Sequence, residues 1–112
     1  MRFDLNNPYL LIEPVYGDVV ITFKVSQLVE EDQLCRIEAD ILQLAQSQPG
    51  TNMTLDFKKV QFMSSVLLGF LVKLQKTITL GRGNLKLRNM SKQIYKIFKI
   101  TRLHKVFTIE KS

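Results

Sequence analysis

A chain of 112 residues, 46% hydrophobic and 23% charged, has the size and balance of one compact soluble domain. No apolar run reaches membrane-spanning length, the longest being Val66–Val72 with Gly69 inside it, and the opening "MRFDLNNPYL" lacks the apolar core of a secretory leader. A single cysteine, Cys35, excludes an internal disulfide and suits a reducing cytosol, so a cytoplasmic location without membrane insertion is expected.

The net charge of +6 is unevenly laid out: residues 1–60 carry five basic and nine acidic groups, residues 61–112 eleven basic and one acidic. Such asymmetry marks either solvated helix faces or a surface for an acidic partner.

In chain order, "LLIEPVYGDVVITFKV" reads as a hairpin, two β-branched runs around Tyr16, Gly17 and Asp18. The acids that open "EEDQLCRIEADILQLAQ" favour a helix start, and Leu34, Ile37, Ile41, Leu44 and Ala45 recur at helical spacing. Pro49 and Gly50 end that helix. "MTLDF" is a short strand. From Val66 to about Leu80 a second helix is expected, with Leu67, Leu71, Leu74 and Ile78 on its stripe and Val66, Leu68, Phe70 and Val72 off it. That surplus suggests an apolar patch beside Ser64 and Ser65. Gly81 and Gly83 suit the helix stop and turn, and "NLKL" is a strand.

Ser91 is an N-cap candidate for a third helix, "KQIYKIFKI", whose stripe is Ile94, Ile97, Phe98 and Thr101 with Lys92, Lys96 and Lys99 facing out. "VFTI" is a last strand. The order β-β-α-β-α-β-α-β argues for a single α/β domain, core about residues 10–110, with a mixed sheet and right-handed crossovers.

Catalytic machinery is sparse. His104 and Cys35 are each the sole residue of their type, with no second metal-type ligand at useful spacing, so neither metal nor cofactor is expected. Ser65 lacks the glycines of a nucleophile elbow, and "GRGN" is no phosphate-cradling loop. An enzyme is not expected. Two adjacent hydroxyls at a helix start have two physical uses: a side-chain cap worth about 1 kcal/mol, or a seat for a phosphate, which the free N–H groups and dipole there favour.

"MTLDFKKVQFMSSVLLGFLVKL" resembles the signature region of STAS domains, the family of anti-sigma factor antagonists and sulfate-transporter cytoplasmic domains. That pattern is a strand ending Leu-Asp, then Val-x-Phe-Ile/Met-Asp-Ser-x-Gly-Leu-Gly and a helix. Leu55, Asp56, Val60, Phe62, Met63, Ser65, Leu68 and Gly69 match it, and the element order agrees from about Leu10. Departures fall at Ser64, where the family has aspartate, at Leu67, where glycine is common, and at Ser26–Val29, where many members read Gly-Glu-Leu-Asp.

The resemblance implies a STAS-like mixed sheet packed with helices. It implies Ser65, with Ser64 as second choice, as the acceptor of a phosphate from a kinase that is also the anti-sigma factor. Ser64, Ser65, Val66, Leu67, Gly69, Phe70 and Lys73 would form the docking face, with Asp56 at the acidic loop-strand position. Only the unphosphorylated form of such antagonists binds the kinase. A scaffold subunit of a stress-signalling or transporter complex keeps the fold without the switch. Nucleic-acid binding through Lys92, Lys96, Lys99, Arg102 and Lys105 is the least supported reading, since no stacking platform accompanies the cations.

Overall fold

The computed structural model describes residues 7–110. Strands β1 (Leu10–Val15) and β2 (Asp18–Phe23) form the expected antiparallel hairpin, closed between Val15 and Asp18. Its two turn residues, Tyr16 and Gly17, are both left-handed, the conformation whose twist matches that of the flanking strands. Helix α1 (Glu31–Ser47) leads to β4 (Asn52–Asp56), α2 (Ser65–Leu80) to β6 (Asn84–Arg88), and α3 (Lys92–Ile100), through one 3-10 turn at Leu103–Lys105, to β7 (Thr108–Glu110). Two further strands, β3 (Gln27–Leu28) and β5 (Phe62–Met63), are described with the site they build.

The sheet order is β1-β2-β4-β6-β7, antiparallel at the hairpin and parallel beyond it. Each crossover advances one strand in the same direction. Right-handed connections of that kind place all three helices on one face. The mixed α/β architecture read from the sequence is the one observed.

Alternation along the strands supports this layering. Val19, Ile21, Phe23, Met53, Leu55, Leu85 and Leu87 are buried, and they meet the helix stripes Leu34–Ile37–Ile41–Leu44, Leu67–Leu71–Leu74–Ile78 and Ile94–Phe98. The opposite face is polar along β4 and β6, while the hairpin adds Leu11, Val15 and Val20 to it. There Asn52 donates to Asp18 Oδ1 at 3.0 Å and Asn84 to Asn52 Oδ1 at 3.0 Å, a side-chain ladder across three strands.

Three expectations need correction. The third stripe stops at Phe98: Thr101 is the exposed cap of α3, and its hydroxyl donates back to the Ile97 carbonyl at 2.8 Å. Gly81 does cap the end of α2, as expected, but neither glycine of "GRG" is left-handed; Arg82 is, at φ 65°. Gly83 is required for a different reason, because a Cβ there would overlap the Thr51 carbonyl oxygen where β6 starts beside β4. Finally, Phe70 is buried, although it lies off the α2 stripe. Helix α2 has the sheet beneath it and α1 against its flank, so its buried arc is wider than one stripe.

Candidate functional site

Strands β3 and β5 pair in parallel, Gln27 with Phe62 and Leu28 with Met63, just beyond the ends of β2 and β4. The Ser26 carbonyl accepts from Gln61 N (2.7 Å) and Phe62 N (3.1 Å), and the Leu28 carbonyl accepts from Ser64 N (2.9 Å). Two distant segments thereby fix the loop that delivers the serines, and Ser26–Val29 is brought against them. Two-residue strands carry no periodicity, so this pairing leaves no local signal in the sequence.

Ser64 is the N-cap of α2, in extended backbone, and its Oγ accepts from Leu67 N at 3.4 Å. Ser65 is the first helical residue and is exposed. The first turn of α2 holds no acidic residue of its own to offset the positive end of the helix beside Ser65. Around it stand exposed apolar side chains: Val66 at 61%, Phe62 at 60%, and Val29. This is not the patch expected from α2: of that surplus only Val66 is exposed, Leu68 and Val72 are half-buried against the core and Phe70 is buried, and Phe62 and Val29 supply the rest from other segments.

The other site residues divide by burial. Gly69 and Lys73 are exposed, while Leu67 and Phe70 are buried. Leu67 fills the core with no exposed area; it supports this surface from below and offers a partner nothing to touch. Gly69, Phe70 and Lys73 line a shallow groove of about 430 Å³ between α2 and α1, whose far wall is Cys35, Glu38, Ala39 and Leu42. No heavy atom stands near a Cβ built at Gly69, so glycine keeps the groove open rather than making room within the fold. Burial raises the Glu38 carboxyl above its ordinary value, opposed by the Lys73 charge across the groove.

Asp56 ends β4 and is almost wholly buried. One carboxylate oxygen accepts from Lys58 N at 2.9 Å, the other from Arg88 Nε at 3.0 Å and Asn89 Nδ2 at 3.1 Å. Burial alone would push its pKa up, but these bonds and the Arg88 charge outweigh it, and the carboxyl is held below its ordinary value. Asp56 is therefore a strut. It ties the segment leading to Ser64 to the segment leading to α3.

Among the described residues no group of three His, Cys, Asp or Glu stands together as a metal site, and no helix is long and apolar enough to cross a membrane. His104 Nδ1 lies 3.4 Å from the Phe98 carbonyl, with its ring edge-on to Tyr95. Cys35 is exposed on α1. Lys92, Lys96 and Lys99 face outward on α3, as their spacing predicts.

Comparison with known proteins places this geometry in context. The STAS domain family matches residues 18–112. A STAS-domain anti-sigma-factor antagonist from Planctomyces limnophilus superposes with a TM-score of 0.80 at 19% identity, over 92% of this chain and 89% of that one. The Bacillus cell fate determinant SpoIIAA in its phosphorylated form superposes with a TM-score of 0.72 at 22% identity, over 92% and 90%. Identities this low establish a shared fold. No curated protein matches the chain.

Proposed function

This chain belongs to the STAS domain family, and from that premise we propose that it is a cytoplasmic regulatory binding module of the anti-sigma-factor-antagonist kind. It docks on an anti-sigma factor that is also a serine kinase, and phosphorylation at Ser65 switches the docking off. The observation that carries this reading is Ser65 itself. It is an exposed hydroxyl on the first residue of an α2 whose first turn holds no acid, next in the chain to exposed Val66, with exposed Phe62 just before it and exposed Val29 brought alongside by the bond from Ser64 N to the Leu28 carbonyl.

The chemistry follows from that placement. Ser65 Oγ attacks the γ-phosphorus of the kinase's ATP, ADP leaves, and a base on the kinase takes the hydroxyl proton. The product sets about −1.5 to −2 charges amid apolar contact surface, which expels a packed partner. The free N–H groups and positive end of α2 stabilise that phosphate on this chain, so the modified state does not unfold the helix. Ser64 is less suited as the acceptor, since its Oγ is occupied as the cap and half-buried.

Incubation with the cognate kinase and ATP, followed by mass spectrometric mapping, is expected to find phosphate on Ser65. Phosphate on neither Ser64 nor Ser65, together with no complex with the kinase, overturns the proposal. A constitutive scaffold is the second reading, favoured by the same exposed Phe62 and Val66, which serve a permanent contact equally well. It predicts binding indifferent to an acidic residue at position 65.

A further inference from the structure

Left-handed backbone crowds the Cβ of any residue that has one and is unfavourable for it. Among the described residues four non-glycine residues adopt it: Tyr16 (φ 48°), Arg82 (65°), Asn89 (58°) and Arg102 (62°). Asn89 is readily explained, because asparagine tolerates this conformation and its amide donates to Asp56.

The other three share a location. Strands β2, β4, β6 and β7 run parallel, and each helix returns the chain against them, so the connections entering these strands lie at one end of the sheet. Tyr16 stands in the connection entering β2, Arg82 in that entering β6, and Arg102 in that entering β7. Ser65, at the start of α2, is at the opposite end.

Two of these connections repeat one arrangement. Helices α2 and α3 each finish on an exposed aliphatic residue, Leu80 at 86% and Ile100 at 71%. In each the next N–H bonds four residues back, Gly81 to Thr77 at 3.2 Å and Thr101 to Ile97 at 3.1 Å. The following N–H bonds three back, Arg82 to Thr79 at 3.0 Å and Arg102 to Lys99 at 3.1 Å. That following residue is the left-handed arginine, at a position where glycine is the ordinary choice. Tyr16 at the hairpin tip is fully exposed. Among the described residues the connections themselves hold no carboxylate; the hairpin beside them carries Asp18, which accepts from Asn52, and exposed Glu13 two residues before Val15.

We propose that this end docks on an anionic lipid bilayer. Leu80, Ile100 and Tyr16 enter the headgroup zone while Arg82 and Arg102 meet lipid phosphates. The exposed apolar residues come from two helix ends and a hairpin tip, and Ile100 also edges a shallow groove with Tyr95 and Lys96; such scattered residues at one end of the sheet, set beside arginines, suit an extended anionic surface. A nucleic-acid duplex would use the cations but leave Leu80 and Ile100 without partners. Nor does α3 offer a base its aromatic ring: Tyr95 is half-buried, with the Lys99 ammonium 5.9 Å above it. Docked this way, the chain presents Ser65 away from the bilayer, and the switch proposed above stands or falls separately.

Sedimentation of the full chain with vesicles tests this. Phosphatidylcholine mixed with phosphatidylserine is expected to pellet the protein, phosphatidylcholine alone is not, and salt weakens the binding. Arg82→Gly/Arg102→Gly relieves backbone strain, so its melting temperature holds or rises. Its vesicle affinity falls about thirtyfold, two cations at about 1 kcal/mol each. Leu80→Ser/Ile100→Ser, which empties no core position, also loses affinity. No pelleting with anionic vesicles overturns the proposal, as does undiminished affinity in Arg82→Gly/Arg102→Gly. So does binding to a labelled duplex or an acidic protein in place of the vesicles.

Discussion

Helices α2 and α3 start alike and present different surfaces. Ser64 and Ser91 both cap from extended backbone, and each Oγ accepts from the N–H three residues on, Leu67 at 3.4 Å and Ile94 at 3.1 Å. Both of those third residues are aliphatic and fully buried. What differs is the residue after the cap. In α2 it is Ser65, exposed and followed by exposed Val66; in α3 it is Lys92, a cation set at the positive end of its own helix. A capping serine is thus a structural device that this chain uses twice. The signalling reading rests on the second hydroxyl and its apolar surroundings, and α3 has neither.

The largest effects probe what the two starts share. Leu67→Ala and Ile94→Ala each remove a fully buried aliphatic side chain and are expected to lower stability by about 3 kcal/mol in urea titrations. A cost at Leu67 under about 1 kcal/mol would return that residue to the surface and revive it as a contact. Asp56 comes next, because it braces the approach to both helices. Asp56→Ala leaves its donors without their acceptor and costs about 2 kcal/mol.

The same group sets a pH dependence. Its folded pKa is depressed, so its stabilisation is complete above the ordinary aspartate value and is lost as pH falls through the folded value. The urea midpoint of the wild type should fall across that acid range, and Asp56→Asn should flatten the fall.

Smaller effects separate each cap from the first residue of its helix. Ser64→Ala and Ser91→Ala should each cost about 1 kcal/mol, and the first should leave Ser65 open to modification. If Ser64→Ala alone abolishes phosphorylation, the assignment of roles between the two serines is reversed. The smallest change concerns the dipole. An acid at the first helical position, Ser65→Asp or Lys92→Asp, should stabilise either helix by about 0.5 kcal/mol in thermal melts.

Most of the fold could be read from the sequence because its long elements repeat. The α1 stripe from Leu34 to Leu44 and the hairpin around Gly17 needed only periodicity and turn chemistry. Where the reading fell short, the cause was tertiary. Nothing local marks Gln27 and Phe62 as partners, because each belongs to a strand two residues long. Phe70 is buried because α1 flanks α2, which no pattern within α2 records. Arg82 takes a conformation expected of its glycine neighbours, and Gly83 is held to glycine by the Thr51 carbonyl of another strand. At the site, the serine pair and Gly69 stood out in the sequence. The contributions of Val29 and Phe62 emerged only when β3 and β5 brought the two segments together.

The proposed switch requires that a negative charge at Ser65, and not a disturbed helix, ends docking. Calorimetric titration of the cognate anti-sigma factor with the wild type, Ser65→Ala and Ser65→Asp puts that requirement to the test. Ser65→Ala should bind like the wild type, while Ser65→Asp should remain folded and lose at least tenfold in affinity, about 1.4 kcal/mol. Equal affinity of Ser65→Asp and the wild type would contradict the switch.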